Sequence, residues 1–161
     1  MATGSITPKE GHELVLTRIF DAPRELVFKA WTDPKIVAQW WGPHRFTNPV
    51  CELDARPGGA IRIRMRGPDG TVYPMTGVYQ EVVEPERIAF TSAALDAAGK
   101  PMFELLTTMN FAEQGGKTKQ ILRPRVIKST AQAAPYLAGT EAGWTQSLER
   151  LAAHVVTHSK E

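Results

Sequence analysis

Residues 31–43 read WTDPKIVAQWWGP, and three of the four tryptophans of the chain lie in this stretch. The fourth, Trp144, lies far along the sequence, at the start of an apolar stripe on a predicted helix. A tryptophan side chain buries roughly 150–250 Å² of surface, so leaving all four exposed would cost much free energy. We therefore expect the two ends of the chain to meet around one interior lined by aromatic rings. Such a hollow or nearly hollow domain differs from a nucleotide-binding fold.

The composition is typical of one soluble globular domain. Of the 161 residues, 42% are apolar and 22% are charged, and this length is enough for a substantial core. We predict a flexible leader over residues 1–12 and a single domain over residues 13–157. The leader lacks the basic and apolar regions of a secretory signal, and no apolar run reaches the roughly 18 residues of a membrane span. The net charge of +2 is too small to indicate nucleic-acid binding.

Two short helices are predicted around the tryptophan-rich stretch. Asp21 is suited to cap the first helix and Pro23 to occupy its first turn, and the apolar residues of 26–31 follow at helical spacing. Asp33–Pro34 repeats the start signal for a second helix. Gly42–Pro43 then ends that helix after Trp41.

Strands are predicted on both sides of these helices. Residues 14–20 are rich in β-formers and precede them, and from Thr47 to Lys128 the pattern changes to period two. Within it, apolar residues alternate with Arg62, Arg64 and Arg66, which is typical of a strand with one buried and one solvated face. Residues 102–113 and 117–128 form a predicted hairpin.

A long amphipathic helix follows, beginning between Ala138 and Glu141. Its apolar stripe consists of Trp144, Leu148, Leu151 and Val155. A sheet of this size has a face to cover, and this helix is the only long element available. We therefore predict an α+β helix-grip fold, a curved antiparallel sheet of six to seven strands around the C-terminal helix. Such a grip leaves space for a ligand between sheet and helix.

Several motifs together resemble one known family. They are Asp21–Pro23, Trp31–Pro34, Trp40–Pro43, Arg56–Gly59, Val83–Ile88, and Gly143–Trp144 with Ser147–Leu151. The set is similar to the activator of heat-shock-protein ATPase homologue-like family of the START-like superfamily, which also includes polyketide cyclases and the birch pollen allergen. The resemblance implies the helix-grip fold. It also implies that the protein is a lipid carrier, a cyclase, a hydrolase or a chaperone regulator, and a monomer or a homodimer.

The candidate ligand-binding residues are aromatic rings, methionines on inward strand faces, two tyrosines that could carry hydroxyls inside, and one histidine. They are Trp40, Trp41, His44, Met65, Tyr73, Met75, Tyr79, Phe90, Met109 and Trp144. The alternative is that these side chains fill a solid core, since protein interiors are close-packed. In that case the tyrosines face solvent.

Other chemistry-bearing residues have more ordinary interpretations beside the functional one. His44 follows the second helix and could act as a general base, or it is a surface histidine. Cys51 is the only cysteine, which excludes an internal disulfide and fits a reducing cytoplasm. We interpret it as a small buried hydrophobe. His154 and His158 have a metal-pair spacing but no carboxylate motif, so no metal site is predicted.

The sequence contains no phosphate-binding loop, dinucleotide fingerprint, nucleophile elbow or zinc-protease motif, and we predict no cofactor. The first hypothesis is a protein that binds a small hydrophobic or aromatic molecule. A second is a cyclase or hydrolase that uses His44 and a tyrosine hydroxyl in the same cavity. A third is an interaction module that regulates a chaperone ATPase.

Overall fold

Seven strands, three helices and one short 3-10 turn make up the domain in the computed structural model, which describes residues 11–133 and 138–159. The strands are β1 (Leu16–Phe20), β2 (Thr47–Leu53), β3 (Ala60–Arg66), β4 (Val72–Val83), β5 (Arg87–Leu95), β6 (Pro101–Gln114) and β7 (Lys117–Ser129). The helices are α1 (Arg24–Thr32), α2 (Pro34–Trp40) and α3 (Thr140–Ser159), and the 3-10 turn spans Ala131–Ala133.

The strands form one antiparallel sheet in the order β1-β7-β6-β5-β4-β3-β2. From β2 to β7, each strand pairs with its neighbour in the sequence, as short connections require. Strand β1 instead pairs with β7, Phe20 lying opposite Thr118. This pairing joins the two ends of the sheet-forming sequence, and α1, which follows β1, contacts β6 and β7.

Strand β3 has one buried and one solvated face, as its period-two pattern predicts. Ile61 and Ile63 are buried, whereas the alternating Arg62, Arg64 and Arg66 are exposed. Arg62 donates a hydrogen bond from Nη1 to Glu52 Oε1 on β2 at 2.9 Å. The face of β3 opposite the core is therefore a charged, solvated surface.

The two short helices begin differently. At α2, Asp33 Oδ1 accepts a hydrogen bond from the Lys35 amide at 2.9 Å, which confirms the predicted cap. At α1, the N-cap is Pro23 rather than Asp21. The Pro23 carbonyl accepts from the amides of Leu26 and Val27, so the prediction of Asp21 as the capping residue is wrong.

The long helix α3 packs its predicted stripe against the concave face of the sheet. Leu148, Leu151 and Val155 are buried, and they share one core cluster with residues of β1, β6 and β7. The α+β helix-grip prediction is therefore confirmed, with seven strands. The leader predicted for residues 1–12 lies almost wholly outside the described residues. Among the described helices, none has both the length and the apolar character needed to cross a bilayer.

One buried hydroxyl in this core has no partner. Thr107 on β6 is fully buried, and no hydrogen bond within the described part of the chain reaches its Oγ1. We expect Thr107→Val to leave the free energy of unfolding unchanged or to raise it by up to about 1 kcal/mol, because a buried unpaired polar atom is replaced by a methyl group. Urea unfolding measures this change.

The matched control is Thr107→Ser, which keeps the hydroxyl and removes the methyl group. We expect it to lower the free energy of unfolding by about 1 kcal/mol, since it leaves a small cavity. A valine variant that is less stable than the serine variant would contradict the assignment of Oγ1 as unpaired.

Candidate ligand-binding site

The four tryptophans form one cluster between α1, α2 and α3. Trp31 lies 4.6 Å from Trp40 and 6.1 Å from Trp144, measured between ring centroids. Trp41 lies 5.5 Å from Trp144. The indole Nε1 of Trp31 donates to Gln120 Oε1 at 2.7 Å. The expectation that both ends of the chain meet around aromatic rings is confirmed.

Beside this cluster lies a cavity of about 1140 Å³ between the sheet and the first turns of α3. Its walls are mostly apolar and come from α3, the loop after α2, strands β3 to β6 and the turn between β5 and β6. Its lining includes Trp41, Phe46, Met65, Tyr73, Met75, Ser92, Ala94, Leu105, Trp144 and Ser147. The interior is thus filled at one end and open at the other.

The structure divides the ten candidate ligand-binding residues between these two ends. Five line the cavity, namely Trp41, Met65, Tyr73, Met75 and Trp144. Trp40 and Met109 are fully buried in the core. Tyr79 and Phe90 are buried beside a gap of about 20 Å³, which is barely larger than one water molecule. That any of these residues contacts a ligand stays a prediction.

His44, the tenth candidate, lies outside the cavity lining. Its side chain is 51% exposed, and its Nε2 lies 3.2 Å from Glu149 Oε2 on α3. Its backbone amide donates to Gln146 Oε1 at 3.1 Å. The histidine therefore attaches the outer side of its loop to α3 and does not point a nitrogen at the cavity.

Sequence reasoning missed the residue that holds this loop in place. Arg150 of α3 donates from Nη1 to the carbonyls of Trp41, Gly42 and Pro43 at 3.0–3.1 Å, and from Nη2 to Gln39 O at 3.0 Å. We call residues 39–44 the clamped loop. Burial lowers the pKa of the Arg150 guanidinium below its usual range. The one available signal was an arginine on a helix face that has no carboxylate three or four residues away.

The clamped loop also needs a glycine at position 42. Gly42 has φ +95°, a left-handed conformation that L side chains rarely adopt. A Cβ atom there would lie 2.5 Å from Met65 Sδ. Its amide donates to Ser147 Oγ at 3.0 Å. The loop backbone can therefore approach both α3 and the cavity wall, which holds the neighbouring Trp41 ring at the cavity.

No metal centre is found among residues 11–133 and 138–159, where no group of three histidine, cysteine, aspartate or glutamate side chains could hold an ion. His154 is half-buried on α3, and the side chain of His158 lies outside the described residues.

Cys51 on β2 is half-buried, and burial raises the pKa of its thiol from 9.0 to about 11. Only the thiolate reacts with iodoacetamide. We expect alkylation at pH 8 to be roughly 100-fold slower in the folded protein than in urea, because each unit of pKa is a factor of ten in the thiolate fraction. A mass-spectrometric time course measures both rates, and equal rates would contradict the burial.

The same shift of the Cys51 pKa predicts a loss of stability in alkali. Below pH 9 the thiol is neutral in both the folded and the unfolded chain, so it does not change the free energy of unfolding with pH. Between pH 9 and about 11 the unfolded chain releases the proton first, so the free energy of unfolding falls as the pH rises.

Comparison with known proteins agrees with this architecture. Among solved structures, a protein of Chromobacterium violaceum is 32% identical over 89% of this chain and 96% of its own, with a TM-score of 0.71. The AHSA1 protein of Silicibacter pomeroyi is 27% identical over 91% of this chain and 99% of its own, with a TM-score of 0.78. A protein of Nitrosomonas europaea shares the fold at 23% identity over 92% of this chain and 97% of its own, with a TM-score of 0.77. No curated protein matches the chain.

The family comparison covers the elements that build the cavity and the clamped loop. The family described as Activator of Hsp90 ATPase homolog 1-like protein matches residues 21–156, from the start of α1 almost to the end of α3. These residues include every motif on which the sequence resemblance rests. The chain therefore belongs to the family of Activator of Hsp90 ATPase homolog 1-like proteins.

Proposed function

We propose that this protein binds a small apolar or aromatic molecule in the cavity between the sheet and α3. The observation that carries the proposal is a mostly apolar cavity of about 1140 Å³ beside a core that is otherwise tightly packed. Ligand sites in proteins are typically concave, mostly apolar and largely preformed, with volumes of roughly 300–1,000 Å³.

The wall provides the kinds of contact that a flat apolar ring needs. Trp41 and Trp144 present aromatic surfaces that meet nearly perpendicularly, with an interplanar angle of 80°. Met65 and Met75 lie on neighbouring strands of the wall, and methionine adapts to irregular apolar shapes. We infer that the ligand lies between the two tryptophans and these methionines.

The proton-transfer alternative receives no comparable support. It requires His44 to reach a bound ketone, but the imidazole faces Glu149 on the outer side of the clamped loop. Tyr73 does line the cavity, although a single phenol without a neighbouring base gives no general acid–base pair. We therefore propose binding and not catalysis.

Titration with the fluorescent probe N-phenyl-1-naphthylamine tests the proposal. We expect saturable binding that Ala94→Trp weakens at least about 10-fold, because the indole would fill the cavity that Ala94 lines. Thr76→Trp on the exposed face of β4 is the matched control and should bind the probe like the wild type. Absence of saturable binding, or equal binding by both variants, would overturn the proposal.

A further inference from the structure

Ser92 on β5 is a buried hydroxyl that faces the cavity. Its residue is only 8% exposed, and it belongs to the cavity lining. Its cross-strand neighbours are Gly77 on β4 and Leu105 on β6. Glycine has no side chain and leucine has no polar side-chain atom, so neither neighbour can bond to the hydroxyl through its side chain.

The rest of the described chain does not supply a partner either. Within residues 11–133 and 138–159, no protein group forms a hydrogen bond with the Ser92 Oγ. The Ser92 Oγ does not belong to the side-chain atoms that are both enclosed and unpaired, so it opens onto the cavity that Ser92 lines. Its hydrogen-bond partner there is either water or a ligand, because polar atoms at such sites are almost always paired.

The surroundings of Ser92 determine the charge of the missing partner. Arg64 and Asp96 are the basic and acidic residues among the described residues that line the cavity. Arg64 alternates with the buried residues of β3 and is exposed. The carboxylate of Asp96 accepts from the amides of Ala98 and Lys100 within its own turn. Within the described part of the chain no counter-charge therefore faces Ser92, so an ionised ligand group beside it would find no opposite charge.

We propose that Ser92 hydrogen-bonds a neutral hydroxyl or carbonyl oxygen on the inner part of the ligand; this inference rests on the proposed binding function. A serine hydroxyl both donates and accepts, so it can pair with either group. The ligand class is then an apolar or aromatic molecule with one neutral oxygen at the end that enters the cavity. A plain hydrocarbon would leave the Ser92 hydroxyl unpaired, and a carboxylate would place an unpaired charge in an apolar wall.

Calorimetric titration with 2-naphthol and 2-methylnaphthalene tests this inference, since the two probes differ only in hydroxyl against methyl. The measured quantity is the Kd of 2-methylnaphthalene divided by that of 2-naphthol, because a ratio within one variant cancels the general affinity for the ring. We expect Ser92→Ala to lower this ratio about 10-fold, the value of one net hydrogen bond. Ser92→Thr keeps a hydroxyl and should preserve the ratio.

Thr107→Val is the matched control, because the Thr107 hydroxyl is enclosed and unpaired but does not belong to the cavity lining. We expect it to leave the ratio unchanged. The apo form of Ser92→Ala should melt at or above the wild-type temperature, since no protein partner is lost.

The outcomes separate the two proposals. If both probes bind the wild type but Ser92→Ala leaves the ratio unchanged, the role of Ser92 is overturned and the binding function stands. Binding of 2-naphthoate as tight as that of 2-naphthol would overturn the requirement for a neutral group. If neither probe nor N-phenyl-1-naphthylamine binds the wild type, both proposals fail.

Discussion

Replacement of Trp40 with alanine is expected to lower the free energy of unfolding by about 3–5 kcal/mol, the usual cost of truncating a buried aromatic residue. Trp40 is completely buried, and its ring contacts those of Trp31 and Trp41 at centroid distances of 4.6 and 5.8 Å. Its Nε1 donates to Ala30 O at 3.0 Å, so the substitution also leaves a buried carbonyl unpaired. Urea unfolding followed by circular dichroism measures the change.

Trp41→Ala is the matched control, because its ring lies next to Trp40 but borders the cavity. Removing a side chain that already faces open space creates less new cavity, so we expect a loss smaller by about 1–2 kcal/mol. The order should reverse for ligand binding. Trp41→Ala should weaken the binding of N-phenyl-1-naphthylamine, whereas Trp40→Ala should reduce it only by lowering the folded fraction. Equal losses of stability in the two variants would contradict the division into a filled and an open end.

Arg150→Ala is expected to lower the free energy of unfolding by about 3 kcal/mol, since charge-assisted hydrogen bonds are the strong ones and three partly buried carbonyls lose their donor. Four backbone carbonyls of the clamped loop share this one guanidinium. In a domain of this size that corresponds to a fall in the melting temperature of roughly 6–12 °C. Differential scanning calorimetry measures it.

Two further variants separate the effect of the Arg150 hydrogen bonds, which we call the clamp, from a general effect of charge. Arg62→Ala removes an arginine whose bond to Glu52 is exposed, and we expect a loss of about 1 kcal/mol or less. Arg150→Lys keeps the charge but not the planar fork of donors, and should recover less than half of the loss. If lysine fully replaced Arg150, or if Arg62→Ala were as damaging, the clamp would not be the cause.

The fold was predictable because its local signals agree with its tertiary contacts. The hairpin predicted over residues 102–113 and 117–128 matches β6 and β7 to within one residue at each end, and the apolar stripe from Trp144 to Val155 is buried as a unit. Helix α1 shows the limit of such signals. A proline can occupy a cap position without a side-chain bond, so the Asp21 signal was misleading.

The site was predictable only in part, because alternation along a strand identifies a face but not a position along it. Met75 and Tyr79 have the same parity on β4, yet Met75 lines the cavity while Tyr79 does not. The difference arises from α1 and α2, which fill one end of the grip. Ser92 has no local pattern, and the only signal at Arg150 is a missing carboxylate partner on its helix, since the roles of both residues depend on neighbours that are distant in the sequence.

The clamp also affects the order in which the domain can be completed during synthesis. Gly42 and Ser147 are 105 positions apart, so the strands leave the ribosome before their covering helix exists. Until α3 arrives, apolar residues of the concave face such as Met109 and Leu122 lack the helix that completes their core cluster. Contacts of this range form late, and exposed apolar faces associate with other chains. The segment synthesised late therefore determines how long the tryptophans near the beginning of the chain remain open to aggregation.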